Sequence, residues 1–473
     1  MRHVHPLTRL RTGKGLSEPE YAKLIARTHA ALALGQLAAR REKVAHWESG
    51  RAVPAHTVQL AIAHIHGVPA REVHRLGWPH WLHLPEGDAA LLDRPYTDHG
   101  AVLALRAVAH RPEPTRPTVP TVPPDRPELA LRGRALATQL RGALRRLAET
   151  RATPPGTRPP GNRPTARGPA GPGPAQTHLR WIEARTTALE LHEPGTLVPP
   201  AVLYAAADAE HRFVVDHLAA GAGGEPPSPP DLFPLAARTA LLCTWLSSAV
   251  GEEARAERHN LVALRAAVAA GHRTAVAAVL AQLATRHLLA GDAADARTIV
   301  QAARLAEPYP SPAVTVVLNT RDALALARLG RSGDAERALG RASDALASAD
   351  GGHRPGFPFT VDDHHLAVAH ADAWLHAARP RRAEPHLAAL LERLDGAEPA
   401  PAPPLAGRVL LSAVDTYLAL GEAAQAARAT YCALALTGTL PPGLAVQYHR
   451  RLAAHQHEPL VRDTLARLGH DAG

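Results

Sequence analysis

Three helix-breaking segments in the second half of the chain echo one another: AGDAADAR (290–297), RSGDAERA (331–338) and ALGEAAQAAR (419–428). The Gly-Asp pairs at 291/292 and 333/334 are 42 residues apart, and Gly421-Glu422 recurs roughly two periods later. Each segment combines a glycine that can take the left-handed conformation closing a helix, an acidic residue suited to the positive end of the next helix, and alanines that let two helices approach closely. A period of roughly 40 residues holding two helices cannot bury its apolar face alone and must stack on its neighbours. The expected fold class is therefore all-α, with an α-solenoid over the C-terminal region. An irregular helical bundle without a true repeat is the competing reading. Composition favours helix in either case, because hydrophobic residues make up 46% of the chain and aromatic residues only 4%, whereas strands want aromatic and β-branched side chains.

The segments loosely resemble tetratricopeptide-like repeats, although the units are longer than the standard repeat and irregular around 350–360. Three regions follow from composition: 1–94, read as compact short helices; 95–175, rich in Pro and Arg, with one helix near 127–150 (PELALRGRALATQLRGALRRLAET); and 176–473, helix after helix apart from a loop at 221–230. The flanks 111–127 and 151–174 are expected to be extended.

Charge is uneven. Residues 1–94 hold 13 Arg/Lys against 8 Asp/Glu, and residues 111–180 hold 13 against 4. The total is only +9, so the C-terminal region is acidic and a polyanionic partner is expected for the front alone. The two cysteines, Cys243 and Cys432, lie far apart without disulfide or zinc spacing, which fits a reducing cytoplasm. The opening MRHVHPLTRLR lacks a signal peptide's apolar core. The longest apolar run, TALLCTWLSSAV (239–250), is too short to span a bilayer, so no membrane partner is expected.

In GLSEPEYAKLIA (15–26), Ser17 and Glu20 form a capping box, and Pro19 falls in the first turn, where a missing N–H is harmless. The next informative stretch is RREKVAHWESGRAVP (40–54). A helix over 41–48 points Val44 and Trp47 one way, three residues apart, and leaves Arg41, Glu42, Ala45 and His46 outward. Gly50 ends it, and Pro54 precedes another helix, AHTVQLAIAHIHGV (55–68).

Leu10, Arg11, GLS (15–17), Tyr21-Ala22, Val44, WESGR (47–51), Pro54, Leu60, Ala61 and Gly67-Val68 occur in an order that resembles the helix-turn-helix domain of phage-repressor (Cro/C1, XRE) regulators, over about residues 7–70. The resemblance, including that to actinobacterial members with long helical C-terminal regions, implies a transcriptional regulator that binds double-stranded DNA as a homodimer. It implies base-reading roles for Arg41, Glu42 and His46 and phosphate contacts from Arg40, Lys43, Ser49 and Arg51. It implies structural roles for Arg11, Ser17, Ala22, Val44, Trp47, Glu48, Gly50 and Pro54, with Arg11 and Glu48 as an ion pair. Arg on guanine and Glu on cytosine are chemically sensible pairings. The chain departs from the pattern at Glu18, which would repel a phosphate. It also has about ten extra residues before Glu48, so RTHAALALGQLAA (27–39) must lengthen the second helix or the turn. Glu42 sits among the basic residues. In GWPHWL (77–82), Trp78 and Trp81 are either a docking lip or caps on the small core.

Chemistry is largely missing from the motifs. The histidine-rich DDHHLAVAHADAWLH (362–376) lacks H-E-x-x-H or comparable spacing. TGKG (12–15) and GAGGE (221–225) are not phosphate loops, no G-x-S-x-G elbow occurs, and Cys243 reads as core packing. The chain is expected to be no enzyme, with no catalytic residue, cofactor or metal. The C-terminal helices are expected to sense a peptide, protein or small molecule. Tyr417, Tyr431 and WLHAARPRR (374–382) are candidate contacts, though helix-packing aromatics and a solvated Arg run are the favoured explanation. The alternative function is a protein-interaction scaffold with a degenerate helix-turn-helix.

Overall fold

A computed structural model describes residues 5–66, 68, 70, 73–74, 77–82, 91–92, 94–111, 131–152, 174–191, 198, 200–220, 229–249, 252–348, 361, 363–395, 406–437, 440 and 442–470. The flanks 112–130 and 153–173, the loop 221–228 and the irregular 349–360 lie outside them. Among the described residues all regular structure is helical, with no strand. No described helix is long and apolar enough to cross a membrane. The chain divides into two compact units, one of Met1–Pro95, His110–Val119 and Glu128–Leu131, the other of Tyr96–Ala109, Pro120–Pro127 and Arg132–Gly473.

The first unit contains α1 (Pro6–Gly13), α2 (Glu18–Ala31), α3 (Arg41–Glu48), α4 (His56–Ile65) and a 3-10 turn at His80–Leu82. α2 starts at Ser17, whose hydroxyl accepts from the Glu20 N–H while the Glu20 carboxylate accepts from the Ser17 N–H at 2.8 Å, which completes the capping box. Leu7, Tyr21, Ile25, Val44 and Ile62 meet in one core, all essentially inaccessible. The extra residues before α3 lengthen both elements: α2 runs for 14 residues, and 32–40 then connect it to α3. Ala33, at φ +54°, turns the chain out of α2, and buried His29 holds the connection through Nδ1 and the Gly35 carbonyl at 3.0 Å. Trp81 is fully buried, and its Nε1 donates to Gln59 Oε1 at 3.2 Å, while Gln59 Nε2 donates to the Pro54 carbonyl at 2.8 Å. Trp78 lies edge-on to Trp81 and stacks on His5, so both tryptophans cap this core.

The second unit contains α5 (Asp98–Ala109), α6 (Gly133–Ala152), α7 (Pro174–Leu191), α8 (Pro200–Ala220), α9 (Pro229–Ala249), α10 (Glu253–Ala269), α11 (Arg273–Ala290) and α12 (Ala293–Ala306). It continues with α13 (Pro312–Arg328), α14 (Ser332–Ala347), α15 (Asp363–His376), α16 (Pro380–Asp395), α17 (Ala406–Leu420), α18 (Ala423–Thr437), α19 (Pro442–Leu452) and α20 (Pro459–His470). Consecutive helices pair as hairpins (α9 with α10, α11 with α12, α13 with α14, α15 with α16, α17 with α18), and the first helix of each pair also touches the first helix of the next.

Many of these hairpins close the same way. At Gly271, Gly291, Gly330, Ala378 and Gly421 the backbone turns left-handed (φ 56–86°), and paired N–H groups bond back to the preceding turn. Gly330 N–Ala327 O and Arg331 N–Leu326 O, for instance, are 3.0 and 2.9 Å, the Schellman arrangement that satisfies carbonyls otherwise left bare at a helix end. The register differs from the Gly-Asp pairing. In the second segment the closing residue is Gly330, and Gly333 already lies in the first turn of α14.

Two helices outside the C-terminal region also belong to this unit. α5 packs on α8 and α10; α6 packs on α10 and α12 through Leu136, Leu140, Ala143 and Leu147. Buried Gln139 of α6 accepts at 3.1 Å from both Tyr96 Oη and Arg265 Nη2. At the start of α6, Arg132 pairs with Asp292 at 3.0 Å, and the Gly133 N–H donates to Asp295 at 2.9 Å. The acids of the segment 290–297 thus reach beyond their own helix start.

Candidate nucleic-acid interface

α3 is short, and its burial is one-sided. Val44 is fully buried and Trp47 7% exposed, so one face is fixed in the core of the first unit. Arg41, Glu42 and His46 are exposed, as are Arg40 before the helix and Ser49 and Arg51 after it; Lys43 is half-buried. Residues 40–51 therefore present four cationic side chains, Arg40, Arg41, Lys43 and Arg51, on or beside one exposed face. Glu42 moderates them, with its carboxylate 3.6 Å from Arg41 Nε in a contact open to water on both sides. The Ser49 hydroxyl donates to the His46 carbonyl at 3.1 Å.

The helix end is set by Gly50 at φ +71°, where Gly50 N bonds Trp47 O at 3.2 Å and Arg51 N bonds His46 O at 2.9 Å. A side chain at Gly50 would meet no neighbour, so the glycine serves the left-handed turn and not a tight fit. Pro54 is buried.

The anchor of the helix is Arg11 of α1. Its Nε and Nη2 donate to the two Glu48 oxygens at 2.6 and 2.9 Å, and its Nη1 donates to the Leu16 carbonyl at 2.8 Å. Both side chains are largely shielded, 11% and 8% exposed. The hydrogen bonds it donates to Glu48, followed by the charges of Glu48 and Glu18, push the Arg11 guanidinium above its ordinary range in spite of burial. Glu48 is therefore occupied within the fold, and the field of Glu18 falls partly on Arg11. Ala22, on α2, is buried in the same core as Val44 and Trp47. Of the residues expected to be structural, Ala22, Val44 and Trp47 share one core, Arg11 pairs with Glu48, Ser17 caps α2 and Gly50 closes α3; Arg41, Glu42 and His46, expected to read bases, are all exposed. Gln59 and His29 were not singled out by the sequence; only their burial identifies them as supports.

The arrangement offers guanidinium forks, an ammonium group and one carboxylate acceptor on a helix held by Val44, Trp47 and the Arg11–Glu48 pair. The other sequence candidates fall elsewhere. Trp374 is buried beneath Arg382, whose guanidinium lies 4.8 Å over its ring, and a surface pocket beside it is lined by Ala378, Arg379, Pro380, Arg381, Arg382 and Ala419. Tyr417 is buried, and Tyr431 is half-buried with Arg467 over its ring. In the histidine-rich helix α15, His365 faces Thr320, His370 stacks on His386 and His376 bonds Arg328, so the three go to different neighbours; Asp362 lies outside the described residues. No family model matches the chain, and no similar curated protein or solved structure is found.

Proposed function

We propose that the first unit is a helix-turn-helix domain of XRE type and that the protein is a sequence-specific DNA-binding transcriptional regulator. The observation that carries the reading is α3: buried by Val44 and Trp47 and clamped by Arg11–Glu48, it leaves Arg41, Glu42 and His46 together on an exposed face. A short helix held this way can enter a major groove and present side chains to base edges, with Arg40, Lys43, Ser49 and Arg51 placed to meet phosphates. Two half-sites read by two copies suit this class of domain, so the working form is a homodimer.

The second unit is read as an α-solenoid similar to tetratricopeptide-like repeats. Support comes from the recurring closures at Gly291, Gly330, Ala378 and Gly421 and from the contacts between first helices of successive hairpins. Its role is to sense a peptide, protein or small-molecule signal and to mediate dimerisation.

Genome-wide footprinting of the protein at native abundance, beside Arg41→Ala/His46→Ala, tests the reading. Discrete sites sharing an inverted repeat, lost in the variant, are expected, since a base contact by Arg is worth about 1–3 kcal/mol. Sites indifferent to both changes would remove the base-reading assignment. A second reading, an interaction scaffold whose helix-turn-helix no longer binds DNA, draws on the Arg41–Glu42 contact and on Glu18. It requires that retention on DNA show no steep salt dependence, whereas phosphate contacts impose one.

A further inference from the structure

Three side chains of different donor chemistry converge where α8, α9 and α10 pack together. Asp208, Cys243 and His259 come from these successive helices, and one ligand atom from each lies within 4.8 Å of the others. Cys243 is wholly buried, and His259 and Asp208 are 2% and 8% exposed. A buried thiol or imidazole alone is ordinary core material. This cluster differs because His259 Nδ1 has no hydrogen-bond partner, although it lies in the interior. The other ring nitrogen and Asp208 Oδ1 are each 3.4 Å from the Tyr204 hydroxyl, at the weak limit of hydrogen bonding. Leu203, Leu242 and Leu246 wall the cluster with hydrocarbon. One imidazole nitrogen is therefore buried beside a thiol and a carboxylate without a partner of its own, a state that a bound ion would relieve.

We propose that Asp208, Cys243 and His259 form a binding site for one zinc ion. A sulfur, a nitrogen and an oxygen donor from three rigid helices make a set that Zn²⁺ accepts and that Mg²⁺ and Ca²⁺, which want oxygen, do not. Tetrahedral zinc with bonds of about 2.0–2.3 Å places its donors about 3.3–3.6 Å apart, so binding must draw together ligand atoms that already lie within 4.8 Å of one another. The fourth position falls to the Tyr204 hydroxyl or to water. Arg212 already bonds the second oxygen of Asp208 and orients the carboxylate from outside.

Charge also fits. Binding then exchanges one cation for one proton: the Cys243 S–H bond breaks, the proton passes to solvent and the Zn–S bond forms. Thiolate and carboxylate set two negative charges against the two positive charges of the ion, with the Arg212 guanidinium beside them on Asp208. The donors are 35 and 16 residues apart, with no C-x-x-C or H-x-x-x-H spacing. Only the packing of three helices brings them together. The inference is independent of the DNA-binding reading.

The test uses the full-length, reduced protein stripped of metal by a chelator and titrated with Co²⁺. One equivalent should produce the thiolate-to-cobalt charge-transfer band and the intense visible bands of tetrahedral Co²⁺, both abolished by Zn²⁺. Cys243→Ser should lose the charge-transfer band and weaken Zn²⁺ binding by about 10–100-fold or more, while Cys432→Ser should keep both. Absence of the band in the natural protein, its persistence in Cys243→Ser, or its loss in Cys432→Ser would overturn the proposal. If Cys243→Ser loses its helical circular dichroism, His259→Gln and Asp208→Asn replace it. Undiminished Zn²⁺ affinity in both would overturn it equally.

Discussion

Replacing Glu48 with alanine should loosen the first unit far more than a surface ion pair would. Its carboxylate takes two hydrogen bonds from Arg11, at 2.6 and 2.9 Å, where neither side chain is more than 11% exposed. Without it the guanidinium keeps the Leu16 carbonyl as an acceptor but loses its counter-charge. A buried charge stranded this way costs about 3–5 kcal/mol, against about 0–1 kcal/mol for an exposed pair. Removing both charges with Arg11→Met/Glu48→Leu leaves no charge stranded, only the Leu16 carbonyl without its donor, and should come within about 1–2 kcal/mol of the natural protein. Because two units make global unfolding ill-suited to a single transition, the assay is hydrogen exchange resolved to peptides covering 18–31, 41–48 and 56–65. Exchange there should accelerate by about two to four orders of magnitude in Glu48→Ala, up to the limit of the unit's own stability, and largely recover in the double variant. Acceleration below about tenfold, or a double variant as fast as the single, would refute the claim that this pair anchors α3 as a desolvated unit.

Three further outcomes are expected. Ala378 holds a left-handed conformation at φ +56°, which costs a non-glycine residue about 1–2 kcal/mol. Ala378→Gly should therefore stabilise the second unit by a net of about 0.5–1 kcal/mol after the greater freedom of unfolded glycine is set against it, read as a higher calorimetric unfolding temperature, and Gly421→Ala should lower that temperature. Burial depresses His66 to about 4, with Tyr21 Oη 2.7 Å from its Nε2. Its folded value lies below the ordinary one near 6.5, so the unfolded chain takes up the proton first. Stability is full above about pH 6.5 and declines as pH falls toward 4; His66→Gln should flatten that decline in urea titrations of the first unit. Trp81→Phe should destabilise the same unit by about 1–3 kcal/mol in the exchange assay, because Gln59 Oε1 is then left without the indole N–H.

Local chemistry made most of α3 legible. Val44 and Trp47 defined its buried face, Ser17 and Gly50 the boundaries around it, and the family resemblance paired Arg11 with Glu48. Where two signals competed, the sequence was ambiguous: Gly330 and Gly333 both stand near one break, and only the backbone shows that Gly330 carries the left-handed turn. The length of α2 against its following connection was equally open, because RTHAALALGQLAA is helix-forming almost throughout and the chain leaves the helix at an alanine. Long-range contacts were not legible at all. Nothing in a proline-flanked helix announces that Gln139 will join Tyr96 and Arg265, and nothing links Asp208, Cys243 and His259 before three helices pack.

The attachment of α6 alters what the proline-rich sequence beyond it does. α6 ends at Ala152 and α7 begins at Pro174, and both pack within the second unit. The 21 residues between them therefore close a loop on one body and do not tether one body to another. Its length enters stability only through the logarithm of loop size, about 0.6 kcal/mol for a doubling. A cut at 153–173 would therefore divide the second unit itself, leaving α5 and α6 joined to α8, α10 and α12 by packing alone. The same cut between residues 112 and 130 would fall where the chain passes from one unit to the other.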